Sequence, residues 1–464
     1  INMDETKKNR MLAEAKFHRA LSYWHIVTQW GPAPILTTVP EELNAFYIPR
    51  QPVEKVYELI EQDLKDAENV LPELWEDTEQ GRATKWAAKT LLGRVYLYQK
   101  KWTEAAAKLE EVVNSNRFAL ASNFGKMFDF DKAYNSEAIY VINYKDLGQS
   151  YLGWIDDIGI GNETTFRDLY YGIFNAQPTV DNPVVPQGFS ELVATQDIVN
   201  EFEVGDKRLY YSIYAAFPNN DPFPNVNTAL GYNFGRDTLT GYGKNNVPGT
   251  TIYQSGWNFG TKEAKRSKLG LFYHVKKAVN GYPGTQPVSS GADWILLRYA
   301  DVILMLAEAY NEAGNLGAAK TWLNKVREAR RQEVPGQKFI IPQLPPQLPT
   351  TITGVLADFP YSAPTWGTIT AGDEISFSDD QLSMRAAIVH ERRVELAFEY
   401  HRFNDLRRWE DYDANHPGAA NVVFKNKPSV EDRKPYRRVP NRYFPIPQFE
   451  IDISQGTLQQ NPGY

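Results

Sequence analysis

Apolar residues recur at helical spacing along much of the chain. Ala13, Phe17, Ala20, Trp24 and Val27 advance by four and three positions while His18, Ser22, His25 and Gln29 take another face, which predicts one long amphipathic helix. Gly31-Pro32 stops it, as glycine and proline do just past a helix end. After a stretch carrying Pro32, Pro34, Pro40 and Pro49, the stripe Val56, Ile60, Leu64 and Ala67 predicts a second helix over Val53–Leu71, ended by Pro72. Helices at Ala83–Tyr98 and Thr103–Asn114 follow, joined by a tight turn at Gln99-Lys100-Lys101-Trp102.

The register then repeats. Leu92, Gly93, Tyr96, Ala105 and Leu109 have the same mutual offsets as Leu306, Ala307, Tyr310, Ala319 and Leu323. This is the tetratricopeptide type of helical hairpin, in which a small residue admits the antiparallel partner and an aromatic fills the groove beside it. Two ordinary amphipathic hairpins would share the period but not the register. The predicted fold is mostly α: tetratricopeptide-like hairpins in an α-α superhelix, with a long loop-rich insertion containing short strands. The helical scaffold is expected over residues 1–135, 292–334 and 378–410, with loop-rich insertions at 136–291 and 335–377, all within one integrated domain spanning 1–464. The first insertion opens with a strand, Ala138–Ile142, and the second is dense in proline, from Pro342 to Pro364. Long loops in a compact protein are usually functional or disordered, and abundant aromatics argue against disorder. Helix resumes over Ser378–Tyr400, and the tail after Trp409 reads as mostly loop.

Charge and composition narrow the chemistry. Among 464 residues, 50 Lys+Arg face 57 Asp+Glu, a net charge of −7, which disfavours nucleic-acid or anionic-membrane surfaces. The absence of cysteine excludes thiolate metal sites, thiol nucleophiles and disulfides. No apolar run reaches the length of a membrane-spanning helix. His390-Glu391-Arg392-Arg393 lacks the second histidine of a zinc-protease pair, and Gly159-Ile160-Gly161 is half a dinucleotide loop, with Thr164 where the last glycine belongs. Asp129, Asp131, Asn135 and Glu137 lack the turn glycine and terminal glutamate of a calcium loop. Asp156-Asp157 and Asp379-Asp380 read as solvated pairs, the latter at a helix N-terminus. From Arg385 to Arg408, Glu391 and Glu395 share a helical path with Met384, Ile388 and Phe398, flanked by Arg392, Glu399 and Arg402. This predicts a helix ion-paired along its own surface at i,i+4. No catalytic residue, cofactor or metal site is expected.

The positive chemical signal is aromatic. Tyr151, Trp154, Tyr232, Tyr253 and Trp257 lie in the first insertion among Gly, Asn and Asp, with Asn258 adjoining Trp257 and Asn162 and Asp156 near Trp154. Flat rings offer apolar faces to sugar C–H bonds while amides and carboxylates take hydroxyls. Large aromatics are more often core, but rings flanked by Gly and Asn, as in Tyr151-Leu-Gly-Trp154 and Ser255-Gly-Trp257-Asn258, suit a surface site. Tyr151, Trp154, Tyr232, Tyr253, Trp257 and Asn258 are the candidate ligand-binding residues.

Five blocks in order resemble the SusD/RagB family of outer-membrane nutrient-binding lipoproteins of the Bacteroidetes. They are Ala13 to Trp24 with Trp30-Gly-Pro-Ala-Pro34; Gly81-Arg-Ala83; Leu297 to Ala309; Glu391 to Glu399 with Arg402 to Trp409; and Tyr443-Phe-Pro-Ile-Pro-Gln448 with Gln460-Asn-Pro-Gly-Tyr464. The resemblance implies four tetratricopeptide-like helical pairs cradling an irregular ligand-binding subdomain, without catalysis. It further implies anchoring to the extracellular face of the outer membrane by a lipid on an N-terminal cysteine, and capture of oligosaccharides, or in some members peptides, for a SusC-like TonB-dependent transporter. The family's lipidated cysteine and about one hundred residues before the Ala13 block have no counterpart here, as judged from where the family pattern normally begins. An intracellular tetratricopeptide scaffold is the rival from another class, disfavoured because the hairpins are not tandem; a glycosidase is third.

Overall fold

The protein was analysed as a computed structural model. It describes residues 3–144 apart from 40, 42–46, 77–78 and 129–133, then 173–174, 187–188, 198, 208–215, 273–275 and 277, and finally 293–331, 381–415 and 443–464. Helix α1 spans Glu5–Trp30, capped by the Asp4 carboxylate, which accepts from Lys7 N–H at 2.9 Å. Gly31, at φ +76°, ends it, in the left-handed region where glycine costs least. Helices α2 (Val53–Val70), α3 (Lys85–Tyr98) and α4 (Trp102–Asn114) follow within a residue or two of their predicted bounds.

Strand β1, Ala138–Ile142, pairs antiparallel with β6, Trp294–Arg298, so the first insertion leaves and re-enters the scaffold through one two-stranded ribbon. Between these strands lie β2 (Ile173–Phe174) parallel to β3 (Gln187–Gly188), helix α5 (Arg208–Ser212), and β4 (Ile213–Ala215) antiparallel to β5 (Tyr273–Val275). The chain then forms α6 (Tyr299–Glu312), α7 (Leu316–Arg331), α8 (Gln381–Glu395), α9 (Arg402–Asn415) and α10 (Gln448–Ile453).

The helices stack pairwise: α1 on α2, α2 on α3, α3 on α4, α4 on α6, and α6 on α7 and α8. This is the hairpin array that the internal repeat predicted. Both repeats place Leu92, Gly93, Ala105 and Leu109, and Leu306, Ala307, Ala319 and Leu323, in the buried core. The small residue has a measurable role, because a Cβ at Gly93 would lie 2.6 Å from the Leu109 side chain. Helix α6 is buried on nearly every face from Tyr299 to Ala309, as its apolar run Val302–Ala307 requires. The ribbon is pinned to the scaffold by Tyr140, whose ring meets Phe17 edge-on at 5.1 Å.

One expectation is corrected. The helix read over Ser378–Tyr400 runs Gln381–Glu395 among the described residues, and Phe398 and Tyr400 adopt φ of +65° and +63°. That reversal ends the helix, so Phe398 is not on its apolar path. Beyond Trp409 the described residues are helical in the last turns of α9, to Asn415, and in α10.

The C-terminal segment caps α1. Phe444 N–H donates to the Gln29 carbonyl at 2.8 Å, and Asn461 Nδ2 donates to the carbonyls of Trp30 (3.0 Å) and Phe444 (2.7 Å). Arg50 adds bonds to the carbonyls of Trp30 and Pro32 and to Asn461 Oδ1. A helix leaves its last carbonyls without intrahelical donors; here residues far away in sequence supply them.

Gly93→Val is expected to destabilise the protein by about 2–3 kcal/mol, because overpacking a buried helix contact costs roughly 1–3 kcal/mol and the Leu109 side chain it would meet is itself fully buried. Gly317→Ala, where an added Cβ meets nothing within 4 Å, should be neutral to stabilising by up to about 1 kcal/mol. Urea unfolding of the two variants measures the contrast.

Candidate functional site

The six candidate ligand-binding residues Tyr151, Trp154, Tyr232, Tyr253, Trp257 and Asn258 lie outside the described residues, as do Asp156, Asn162 and Asp379-Asp380. What is described is how the insertion carrying those candidates is joined to the helices, and the join is made of buried charge.

Its centre is Glu395, the last residue of α8. Its carboxylate accepts from Arg298 Nη1 (2.8 Å), Arg330 Nη2 (2.7 Å) and Arg208 Nη1 (2.8 Å). One turn back, Glu391 accepts from Arg208 (2.6 Å) and Arg327 (2.9 Å). One turn on, Glu399 takes Arg298 Nε at 2.6 Å and lies 2.5 Å from Lys277 Nζ. Glu137, just before β1, completes the cluster by accepting from Arg298 (3.0 Å) and Arg330 (2.6 Å). All of these groups are buried. Arg208 and Lys277 belong to the first insertion, Arg298 ends β6, Arg327 and Arg330 are on α7, and the glutamates belong chiefly to α8 and its continuation. Lys277 also lies over the faces of Phe124 and Phe128, 4.6 and 4.8 Å from the ring centres, where a cation meets the negative face of the ring.

A second cluster ties the helices together. Asp301 on α6 pairs with Arg94 of α3 and with Arg392 of α8 at 2.8 Å. Arg392 reaches Asp405 of α9 at 3.0 Å, and Arg408 binds both Asp405 and Glu308. The i,i+4 pattern of the Arg385–Arg408 run therefore has a different meaning from the one expected. The partners of Glu391, Glu395 and Arg392 come from other elements, because these side chains point inward and a surface pair would leave them unmatched.

Electrostatics follow from this packing. Burial alone would raise the Glu395 carboxyl, but the charges of Arg330, Arg298 and Arg208 override it and hold the group well below the usual carboxylate range. Burial is likewise outweighed at Asp301 by Arg392 and Arg94, at Glu391 by Arg208 and Arg327, and at Glu399 by Arg298 and Lys277. Burial lowers Lys277 to about 8 and His401 to about 4. Each acid is matched to cations within hydrogen-bonding distance, an arrangement suited to holding structure. Asn135 and Glu137 of the calcium-like stretch are spoken for, Glu137 by two arginines and Ala121 N–H, and Asn135 by the Met127 carbonyl. Among the described residues, no group of three or more His, Asp or Glu could hold a metal ion.

A stack of helical hairpins, to which Arg208 and Lys277 of the segment between β1 and β6 are joined through buried ion pairs, defines a helical scaffold. The chain belongs to the SusD family: that family's profile matches residues 159–464, and a second, described as starch-binding associating with outer membrane, matches residues 1–97. It is 27% identical over 409 residues to SusD-like protein P25 of Formosa agariphila, covering 86% of this chain and 63% of that protein. It is 25% identical over 483 residues to SusD-like protein P2 of the same organism, covering 100% of this chain and 76% of that one. The chain thus spans less than two thirds of the length of the first of these relatives. Among solved structures, a laminarin-binding SusD-like protein superposes with a TM-score of 0.65 at 25% identity, covering 100% of this chain and 81% of the other. Surface glycan-binding protein A of Bacteroides thetaiotaomicron gives 0.66 at 19% identity, covering 100% and 80%, and shares the fold.

Glu395→Gln is expected to cost about 3–5 kcal/mol at neutral pH, since removing one charge strands its buried partners. The carboxylates are depressed in the folded state, so their contribution is present above the unfolded carboxylate value near 4 and is lost as pH falls through the lower folded values. Thermal unfolding of the parent should therefore weaken steeply below about pH 4, and Glu395→Gln should flatten that acid limb.

Proposed function

We propose that this protein captures oligosaccharides at the cell surface and passes them to a SusC-like TonB-dependent transporter in the outer membrane. The observation that carries the reading is its likeness over the whole chain to a laminarin-binding SusD-like protein, joined to family membership and to the family profile named for starch binding at the outer membrane. In this reading the protein is one integrated unit over 1–464, with residues 136–291 and 335–377 as the binding insertions. The role is binding, without bond cleavage. Tyr151, Trp154, Tyr232, Tyr253 and Trp257 stack on sugar rings, and Asn258 orients hydroxyls. Stacking suits a ligand whose C–H faces are apolar and whose rim is polar. The protein sits on the extracellular face of the outer membrane, held by an N-terminal lipid anchor.

The buried join supports this reading physically. A loop site must hold its rings in place before the ligand arrives, because each side chain ordered on binding subtracts from affinity. Arg208 and Lys277 bind the insertion to the same carboxylates that hold α7 and β6, so the loops share the rigidity of the scaffold at those points.

Isothermal titration against laminarin, starch, xylan and mannan, with a mixed peptide pool as the alternative ligand, tests the proposal. Binding of at least one polysaccharide is expected, weakened about tenfold or more, roughly 1.4 kcal/mol, by Trp154→Ala or Trp257→Ala. Binding of peptides alone would replace the glycan reading with peptide capture. Release of reducing sugar from any bound polysaccharide would overturn the assignment as a binding protein.

A further inference from the structure

We propose that the cleft between the α3–α4 turn and helices α2, α6, α8 and α9 is a second binding site, which takes one or two rings of a neutral oligosaccharide. The inference rests on the glycan-binding reading above, but places the site on the helical scaffold, away from the insertion.

The cleft has a volume of about 320 Å³, at the small end of the range of roughly 300–1,000 Å³ for small-molecule sites. Tyr57, Tyr98 and Trp102 line it. Trp102 is half-buried, and its indole N–H has no hydrogen-bond partner among the described residues. The Tyr98 hydroxyl also has none among them, although its ring is held edge-on by Trp24 at 5.6 Å and overlain by Arg408 at 5.3 Å. Burial raises that hydroxyl to about 12, so at neutral pH it can both donate and accept. An indole face beside a polar N–H and a fixed phenol form the mixed apolar and polar wall that a pyranose presents in complement.

The charged groups of the cleft point to the same class. Glu308 receives Arg408 twice and Trp409 Nε1, and Glu312 receives Arg385 Nε and Asn311 Nδ2 and is ion-paired with the Arg385 guanidinium. Exposed Lys100 and Glu54 stand at the rim and are opposite in sign. With Glu308 and Glu312 matched by Arg408 and Arg385, the cleft carries no net charge to select an ion. A bound peptide would call for a strand edge, an apolar groove or a charge waiting for its terminus, whereas the acids in the floor of this cleft are already neutralised.

The test uses isothermal titration and saturation-transfer NMR with laminaritriose, maltotriose and a neutral tripeptide. The proteins are the wild type and Trp154→Ala/Trp257→Ala, the latter alone and combined with Trp102→Ala or Tyr57→Ala, each checked for helix content by circular dichroism. The double variant is expected to keep one weak trisaccharide site per chain, and either cleft substitution should weaken it about tenfold or more. Two separate substitutions guard against one that fails to fold. The proposal is overturned if the double variant binds no trisaccharide, if neither folded cleft variant weakens binding, or if the tripeptide binds there in the sugar's place. Failure of the cleft with intact polysaccharide binding by the wild type leaves the function of the insertion standing. Trisaccharide binding in the cleft without any wild-type polysaccharide binding overturns that function instead.

Discussion

The structure depends on one electrostatic constraint: Glu391, Glu395 and Glu399 are buried in succession at the end of α8, and each must meet cations there. A single buried carboxylate without a partner costs several kcal/mol, so the elements supplying Arg208, Lys277, Arg298, Arg327 and Arg330 are fixed with it. Those elements include both the helical scaffold and the inserted segment. Apolar packing holds the hairpins together and reaches the insertion at Tyr211, beside Phe124; the ion pairs add fixed angles and distances to that contact. Buried ion pairs are sensitive to angle and distance, which makes them suited to setting the position of loops on a scaffold.

The same logic, with backbone groups in place of charges, operates at the other end of the molecule. The carbonyls of Gln29 and Trp30 at the end of α1 are met by Phe444 N–H, Asn461 and Arg50. Gly31 is required there twice, by its positive φ and because a Cβ would lie 2.6 Å from the Tyr443 ring. The closing residues 443–464 thereby return to the first helix. Similarly, Arg82, within the short Gly81-Arg-Ala83 block, forms a bidentate pair with Glu14 on α1 and lies 3.7 Å over the ring of Trp75. Short blocks that look unrelated in sequence are the points where distant parts of the chain meet.

Local periodicity made much of the scaffold legible. Ala13, Phe17, Ala20, Trp24 and Val27 are buried together on α1, and the shared offsets of Leu92, Gly93, Ala105 and Leu109 with Leu306, Ala307, Ala319 and Leu323 mark the two hairpins in the sequence. The insertion was legible only as a change of composition. Tyr151, Trp154, Tyr232, Tyr253, Trp257 and Asn258 were chosen because rings among Gly and Asn suit a sugar, and irregular loops have no period from which their spatial grouping can be read.

What the sequence determined by itself was the helical framework and its repeat, because a helix face is set by residues three and four apart. The partners of the charges on α8 were decided by tertiary structure. Spacing places Glu391 and Glu395 on one helical path with Glu399 beside it and predicts pairing along the helix, yet their arginines lie between 64 and 187 residues away at Arg327, Arg330, Arg298 and Arg208. Coulomb attraction takes no account of separation along the chain, and only the packed hairpins bring those side chains within reach of one another.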